Sequence, residues 1–304
     1  MDKMRKGVVL FITLSVIAAM LALVGVIFSY LEKSKGDASY TAALIQADLL
    51  FRDTNDAIKV LLGKAGKDEE MRKTVLSTLY LAPMTLQPKE GDMFTTIDCQ
   101  PLDNGVNINW LGYENNDSAQ VRFSTVQSIF DDLVEQYALQ DAALLLGMIQ
   151  AEIDTEKSVA AENQSRLEQK KGMITRSLFR KIVRDYQFRA DDPAVEQIAW
   201  EKFFSFDRKE IPMDGNYLSA ELIAILFGME LATVKEEWFE GDDLQDFVAE
   251  NGGDLSRYNK ELFSEKPTER MQCRISYGYQ SNTYAFGFDY LEGKAEKFEF
   301  YGKQ

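Results

Sequence analysis

Twenty-four consecutive residues, Val8 to Leu31, carry no charge. Only Thr13, Ser15, Ser29 and the amphipathic Tyr30 interrupt the apolar run VVLFITLSVIAAMLALVGVIFSYL. As a helix rising about 1.5 Å per residue it is about 36 Å long, enough for a hydrocarbon core of about 30 Å. Lys3, Arg5 and Lys6 precede it, and Glu32, Lys33 and Lys35 follow. The basic flank on the short side places that end in the cytoplasm and the bulk of the chain outside. A secretory signal would have a shorter apolar core and a small-residue cleavage site, which this run lacks. A plain signal anchor fits.

The 304 residues suffice for two modest domains, and 45% hydrophobic with 27% charged residues is the composition of a folded chain. Histidine is absent, which removes Ser-His-Asp and Cys-His catalysis, HExxH zinc sites and haem ligation by His. With 49 acidic against 34 basic residues the net charge is −15. That balance opposes nucleic-acid binding, which needs clustered cations.

Beyond the uncharged run, helical spacing of Leu44, Phe51, Ile58 and Leu62 predicts one amphipathic helix from Ser39 to Lys64. A short helix follows around Glu69–Tyr80, then an irregular passage marked by Pro83 and Pro88. Met93–Cys99 and Val106–Trp110 read as strands, joined by Asp103-Asn104-Gly105 as a hairpin turn. Val126–Ile153 and Lys171–Tyr186 are helical by pattern. The polar stretch Glu156–Lys170 between them is a solvated helix or a connector. Phe203–Glu250 reads as short helices, with Asp191-Asp192-Pro193 and Gly241-Asp242-Asp243 as helix starts. Met271–Tyr277, Thr283–Tyr290 and Lys297–Tyr301 alternate with period two and predict three antiparallel strands. The order implies an α+β chain: a long N-terminal helix with a small antiparallel sheet, interrupted by a large inserted α-helical domain. Its expected limits are residues 32–125 for the stalk helix and first part of the sheet domain, 126–266 for the insertion and 267–304 for the closing strands.

At the front of the apolar run, Lys6-Gly7 abuts Val8 directly. A short basic leader ending in Gly before an apolar helix resembles the cleavage site of type IV prepilin-like proteins. Cleavage is then expected between Gly7 and Val8, with residues 1–7 as leader and 8–31 as transmembrane helix. The fifth residue after the cut is Ile12, where most pilins carry Glu. Further segments resemble the type II secretion minor pseudopilin K family (general secretion pathway protein K). Met4-Arg5-Lys6-Gly7-Val8-Val9-Leu10 is similar to its leader and Glu-less helix start. Asp103–Leu111 resembles its G-x-F-N-L-N-N-L stretch, and Ala143–Asp154 its helix ending D-W-I-D, with Gln150-Ala151 replacing the first Asp-Trp. Asp214–Leu222 resembles N-V-N-T-A-P-A-E-V, with Asp214 in place of the first Asn.

The resemblance implies a non-enzymatic single-pass inner-membrane protein with its body in the periplasm. It also implies prepilin peptidase cleavage and methylation. Other minor pseudopilins, the major pseudopilin and the inner-membrane assembly platform are the expected partners, and nucleic acid is not. The role implied is to cap the pseudopilus tip and start its assembly for protein export. A subunit with none ahead of it has no amine for a carboxylate at position 12 to meet, so Ile is the cheaper residue there. Losing the leader removes three basic residues and one acidic one, for a mature charge of −17. No cofactor is expected. Some family members bind calcium in the insertion, which makes Asp154 and Glu156 weak calcium candidates, although no EF-hand pattern is present. In an oxidising periplasm Cys99 and Cys273, the only cysteines, could form a disulfide or stay two buried thiols. Such a bond would tie the small domain together across the insertion.

Alternative readings are a minor pilin of a type IV pilus or DNA-uptake system, and a membrane-anchored periplasmic enzyme using Asp131 and Asp132. Adjacent carboxylates on a helix diverge by about 100° and rarely converge. The stretch Asp214–Gly228 also resembles a helix-hairpin-helix but lacks basic neighbours. The Asn residues of Asp103–Leu111 and of 214–216 are expected to serve turns and caps.

Overall fold

The computed structural model describes residues 2–66, 68–86, 94–153, 174–208, 210–280 and 282–304, and side chains other than those of 2–13, 15, 18 and 19. The uncharged run and the amphipathic segment behind it form one helix, α1 (Asp2–Ala65), which at 1.5 Å per residue is about 96 Å long. Its buried positions Ala43, Ala47, Thr54, Ile58 and Leu62 lie four or seven residues apart, along one stripe. After Gly66, which takes a left-handed φ of 57°, α2 (Glu69–Leu81) folds back against it. Asp68 caps α2, accepting a hydrogen bond from the Met71 amide.

Both helices pack on a five-stranded antiparallel sheet in the order β1 (Met84–Leu86), β2 (Thr95–Pro101), β5 (Arg270–Tyr279), β6 (Asn282–Leu291) and β7 (Lys294–Lys303). The three C-terminal strands form where the period-two pattern predicts; β5 alternates in burial over much of its length, whereas the central β6 is buried on both faces from Tyr284 to Tyr290. Glu292 and Gly293 both have positive φ, which suits the tight turn of the β6–β7 hairpin. Small residues let the helix approach closely: Ala43 and Ala47 are fully buried, and the Tyr277 hydroxyl donates to the Ala43 carbonyl. Phe286, Phe288, Ile275 and Met271 fill the layer between. The outer strand β7 carries register shifts, a left-handed Lys297 and three lysines, features that blunt a sheet edge against further pairing.

Strands β2 and β5 are neighbours in the sheet, yet the chain between them builds a second core. Its members run from Val106 to Phe263 and include Trp110, Phe130, Phe179, Trp200, Phe204 and Phe227. The helices around it are α3 (Gln120–Tyr137), α4 (Ala142–Ile153), α5 (Arg176–Ala190), α6 (Ala220–Phe227), α7 (Leu231–Glu237) and α8 (Leu244–Glu250). The change of core comes at Val106, earlier than the position 126 at which helical periodicity begins. The expected helix over Val126–Ile153 is two helices, because Ala138 turns left-handed (φ 51°) and ends α3. Asp192 and Asp243 do cap the turns that follow them.

The expected hairpin at Asp103-Asn104-Gly105 is absent. Met84–Leu86 pairs with β2 instead, while β3 (Val106–Asn107) pairs in parallel with β4 (Phe204–Ser205) and runs into a 3-10 helix, Ile108–Tyr113. Gly105 is needed for close approach, not for a turn. A Cβ there would lie 2.8 Å from the Phe204 carbonyl carbon and 2.9 Å from the Ser205 nitrogen.

Candidate functional site

Two features go beyond what folding alone requires: the free half of α1, and the polar junction where the second core meets the sheet. Described residues of α1 from Leu14 to Ala38 touch neither the sheet nor α2 closely enough to be buried. Its large apolar side chains from Leu14 to Leu31 are 44–72% exposed. An uninterrupted apolar surface of that length marks a partner, another subunit or lipid. Gly7, Val8 and Ile12 lie in α1, upstream of this surface, and their side chains are outside the described residues. Among the described residues no helix is long and apolar enough to cross a membrane; the expected span 8–31 falls partly outside them.

Cys99 and Cys273 are directly opposed on β2 and β5, with their sulfurs 2.04 Å apart and their Cα atoms 4.1 Å apart. This disulfide joins the strand that leads into the second core to the strand that returns from it. Asp154 and Glu156 lie outside the described residues, as does the polar stretch Glu156–Lys170. Among the described residues no three His, Cys, Asp or Glu side chains gather closely enough to hold a metal ion. Asp131 and Asp132 are exposed on α3. Desolvation, with repulsion from Asp132, holds the Asp131 carboxyl above the usual range.

The junction was not legible beforehand. Arg270, at the start of β5, is 6% exposed and faces three carboxylates from distant parts of the chain. Its Nε lies 3.1 Å from Asp103 Oδ2, an approach out of line for a hydrogen bond. Its Nη2 donates to Asp207, and Nη1 reaches the exposed Glu292 at 3.6 Å, which adds little. Burial, reinforced by Asp207 and Asp214 and only partly offset by Arg270, pushes the Asp103 carboxyl up to about 7. Asp214 stands beside this group. Its amide donates to the Asp103 carbonyl, and its carboxylate accepts from the Thr268 amide at 2.8 Å and the Asn216 amide at 3.2 Å. Burial nevertheless holds the Asp214 carboxyl above the usual range.

Two asparagines complete the clamp. Asn107 caps the 3-10 helix by accepting from the Asn109 amide, and its Nδ2 donates to the carbonyls of Asp207 and Arg208. Asn109, fully buried, donates to the carbonyls of Ile174 and Asp207 and accepts from the Ile174 amide at 2.6 Å. The expected turn-and-cap role covers the first of these bonds only. The others fasten segments about 65 and 100 residues away. Asn109→Ala strands both backbone groups of the buried Ile174, so it is expected to cost about 2–4 kcal/mol. A lower urea midpoint with unchanged m would show this, whereas an unshifted midpoint would mean that the bonds carry no net stability.

The other tie between the two cores is Tyr217. It is buried in the sheet-side core, 3.1 Å by its hydroxyl from Ser77 and edge-on to Tyr80 at 4.9 Å. Gly241 permits this contact, since its φ is 102° and a Cβ would lie 2.7 Å from Ser77 Oγ.

No family model matches the sequence, and no curated protein matches it. The fold is similar to that of a chain in the crystal structure of the GspK-GspI-GspJ complex from the type 2 secretion system of enterotoxigenic Escherichia coli. The TM-score is 0.55 at 13% identity, covering 90% of this chain and 98% of that one. At that identity the likeness is one of fold: a long N-terminal helix on an antiparallel sheet, with the large excursion between β2 and β5 covered as well.

Proposed function

We propose that this chain is a minor pseudopilin that caps the tip of a type II secretion pseudopilus and helps to initiate its assembly. The observation that carries the proposal is the free half of α1, an exposed apolar helix continuous with a helix seated on a sheet. A subunit that leaves the bilayer and stacks in a fibre needs such a helix, because the same surface serves lipid and then neighbouring helices. The likeness of fold to a component of a type 2 secretion complex supports the same reading. On it, Val8–Leu31 spans the inner membrane once, the body is periplasmic, and the disulfide suits that compartment. The partners are other minor pseudopilins, the major pseudopilin, prepilin peptidase and the assembly platform. The residues between β2 and β5 form an inserted helical domain whose bulk ends the fibre.

Co-expression with a prepilin peptidase is the test. Mass spectrometry is expected to find a mature chain beginning at Val8 with a methylated amine. A chain left uncut, or cut elsewhere, sinks the assignment while leaving the fold untouched.

A further inference from the structure

In a chain of net charge −15, one helix concentrates cations along a single row. Arg176, Arg180 and Arg184 follow one another at intervals of four on α5, so they share a face. That face walls a cleft of about 560 Å³ whose floor is apolar, with Phe179, Val183, Ile198 and Trp200. A second cleft of about 390 Å³, between α6 and α7, shares Ala199 and Lys202 with the first and adds Lys235, Ile225 and Met229. The two adjoin at these shared residues and together make the groove.

Its ion pairs are unbalanced. Arg176 and Arg180 share the single carboxylate of Glu201, at 3.9 Å for Arg176 Nη1 and 3.0 Å for Arg180 Nε. Lys202 and Lys235 share the single carboxylate of Glu221, at 2.6 and 3.0 Å. Each cluster thus keeps one positive charge in excess. Arg184 is exposed and makes no ion pair among the described residues.

We infer that this groove docks an extended acidic peptide segment of a partner protein, one that alternates carboxylates with apolar side chains. The carboxylates would meet the excess charge at the two clusters and at Arg184, and the apolar side chains would cover the floor. A nucleic acid or an anionic membrane suits it less. Phosphate groups alone would leave the apolar floor of Phe179, Val183, Ile198 and Trp200 uncovered. The inference does not depend on fibre assembly, since it rests on the groove alone.

The test is fluorescence polarisation with the full chain in detergent and a labelled nonapeptide alternating Glu and Leu. Saturable binding is expected, weakening with salt and lost when Gln replaces Glu in the peptide. Arg184→Glu should weaken it by at least about tenfold, and Arg184→Lys by much less. Because Arg184 is exposed and has no ion pair among the described residues, both variants should melt as the parent does. Equal binding of the Gln peptide, an unchanged affinity in Arg184→Glu, or no binding at all would overturn the inference. So would Arg184-dependent binding to anionic vesicles or duplex DNA in preference to the peptide. Failure of leader cleavage would leave it standing.

Discussion

Breaking the Cys99–Cys273 bond is expected to lower the stability of the folded body by about 5 kcal/mol. The two residues are separated by 174 positions, and closing so long a loop removes more denatured-state entropy than a short cross-link does. The location adds consequence to size. Because β2 and β5 are adjacent, the bond keeps the start and the end of the second core's chain together even when that core is unfolded. Both sulfurs are buried, so reduction in native buffer should be slow, and should become fast once denaturant opens the sheet. The measurement is urea unfolding of the intact chain with and without a phosphine reductant, alongside the Cys99→Ala/Cys273→Ala double variant. Reduced protein and double variant should both unfold at lower urea. The slope m should rise, because an untethered denatured chain exposes more surface. Coincident curves would show that the bond leaves the denatured ensemble unconstrained.

The α+β class was legible because it depends on periodicity, which is local. Helical spacing of Leu44, Phe51, Ile58 and Leu62 predicts the seated half of α1, although Leu44 is itself exposed and Ala43 and Ala47 are buried instead, and alternation predicts β5, β6 and β7. What failed was pairing. Asp103-Asn104-Gly105 carries the ordinary composition of a hairpin turn, but Gly105 serves the contact with Phe204, a residue some hundred positions away. No window of sequence can distinguish a glycine required for positive φ from one required for backbone proximity. The strand Met84–Leu86 was hidden for a related reason. It is three residues long and defined by its neighbour β2 rather than by any pattern of its own. The junction was the least legible part. Asp103, Asp207 and Arg270 are unremarkable singly and become a buried group only when β5 returns beside β2. The cationic row on α5 lay within a stretch read only as helical, and its meaning depends on Glu201 and Glu221, which the fold brings to it from elsewhere.

Arg270→Met should cost about 3–5 kcal/mol at pH 8, because it leaves the buried Asp103 and the half-buried Asp207 without their cation. The sign of the pH dependence then separates this cost from simple loss of packing. Asp103 has an ordinary value of 3.8 when exposed and about 7 in the fold, so between these limits the folded chain holds a proton that the unfolded chain has released. Stability contributed by this group is fully present below about 4 and is lost as pH rises through about 7, by about 1.4 kcal/mol per unit within the window. Asp103→Asn fixes the neutral state at every pH. Relative to the parent it should therefore gain stability steadily from about pH 4 to about pH 7 and level off above that. Arg270→Met behaves differently. Without the cation the Asp103 carboxylate is more costly to ionise, so its folded value rises further above about 7; the deficit should stay level from about pH 4 to about pH 7 and widen above that. Denaturation midpoints for the three proteins from about pH 4 to about pH 9 decide the matter. Parallel curves for the parent and Asp103→Asn would mean that Asp103 stays ionised beside Arg270. The junction would then be an ordinary ion pair rather than a protonated hinge between the two cores.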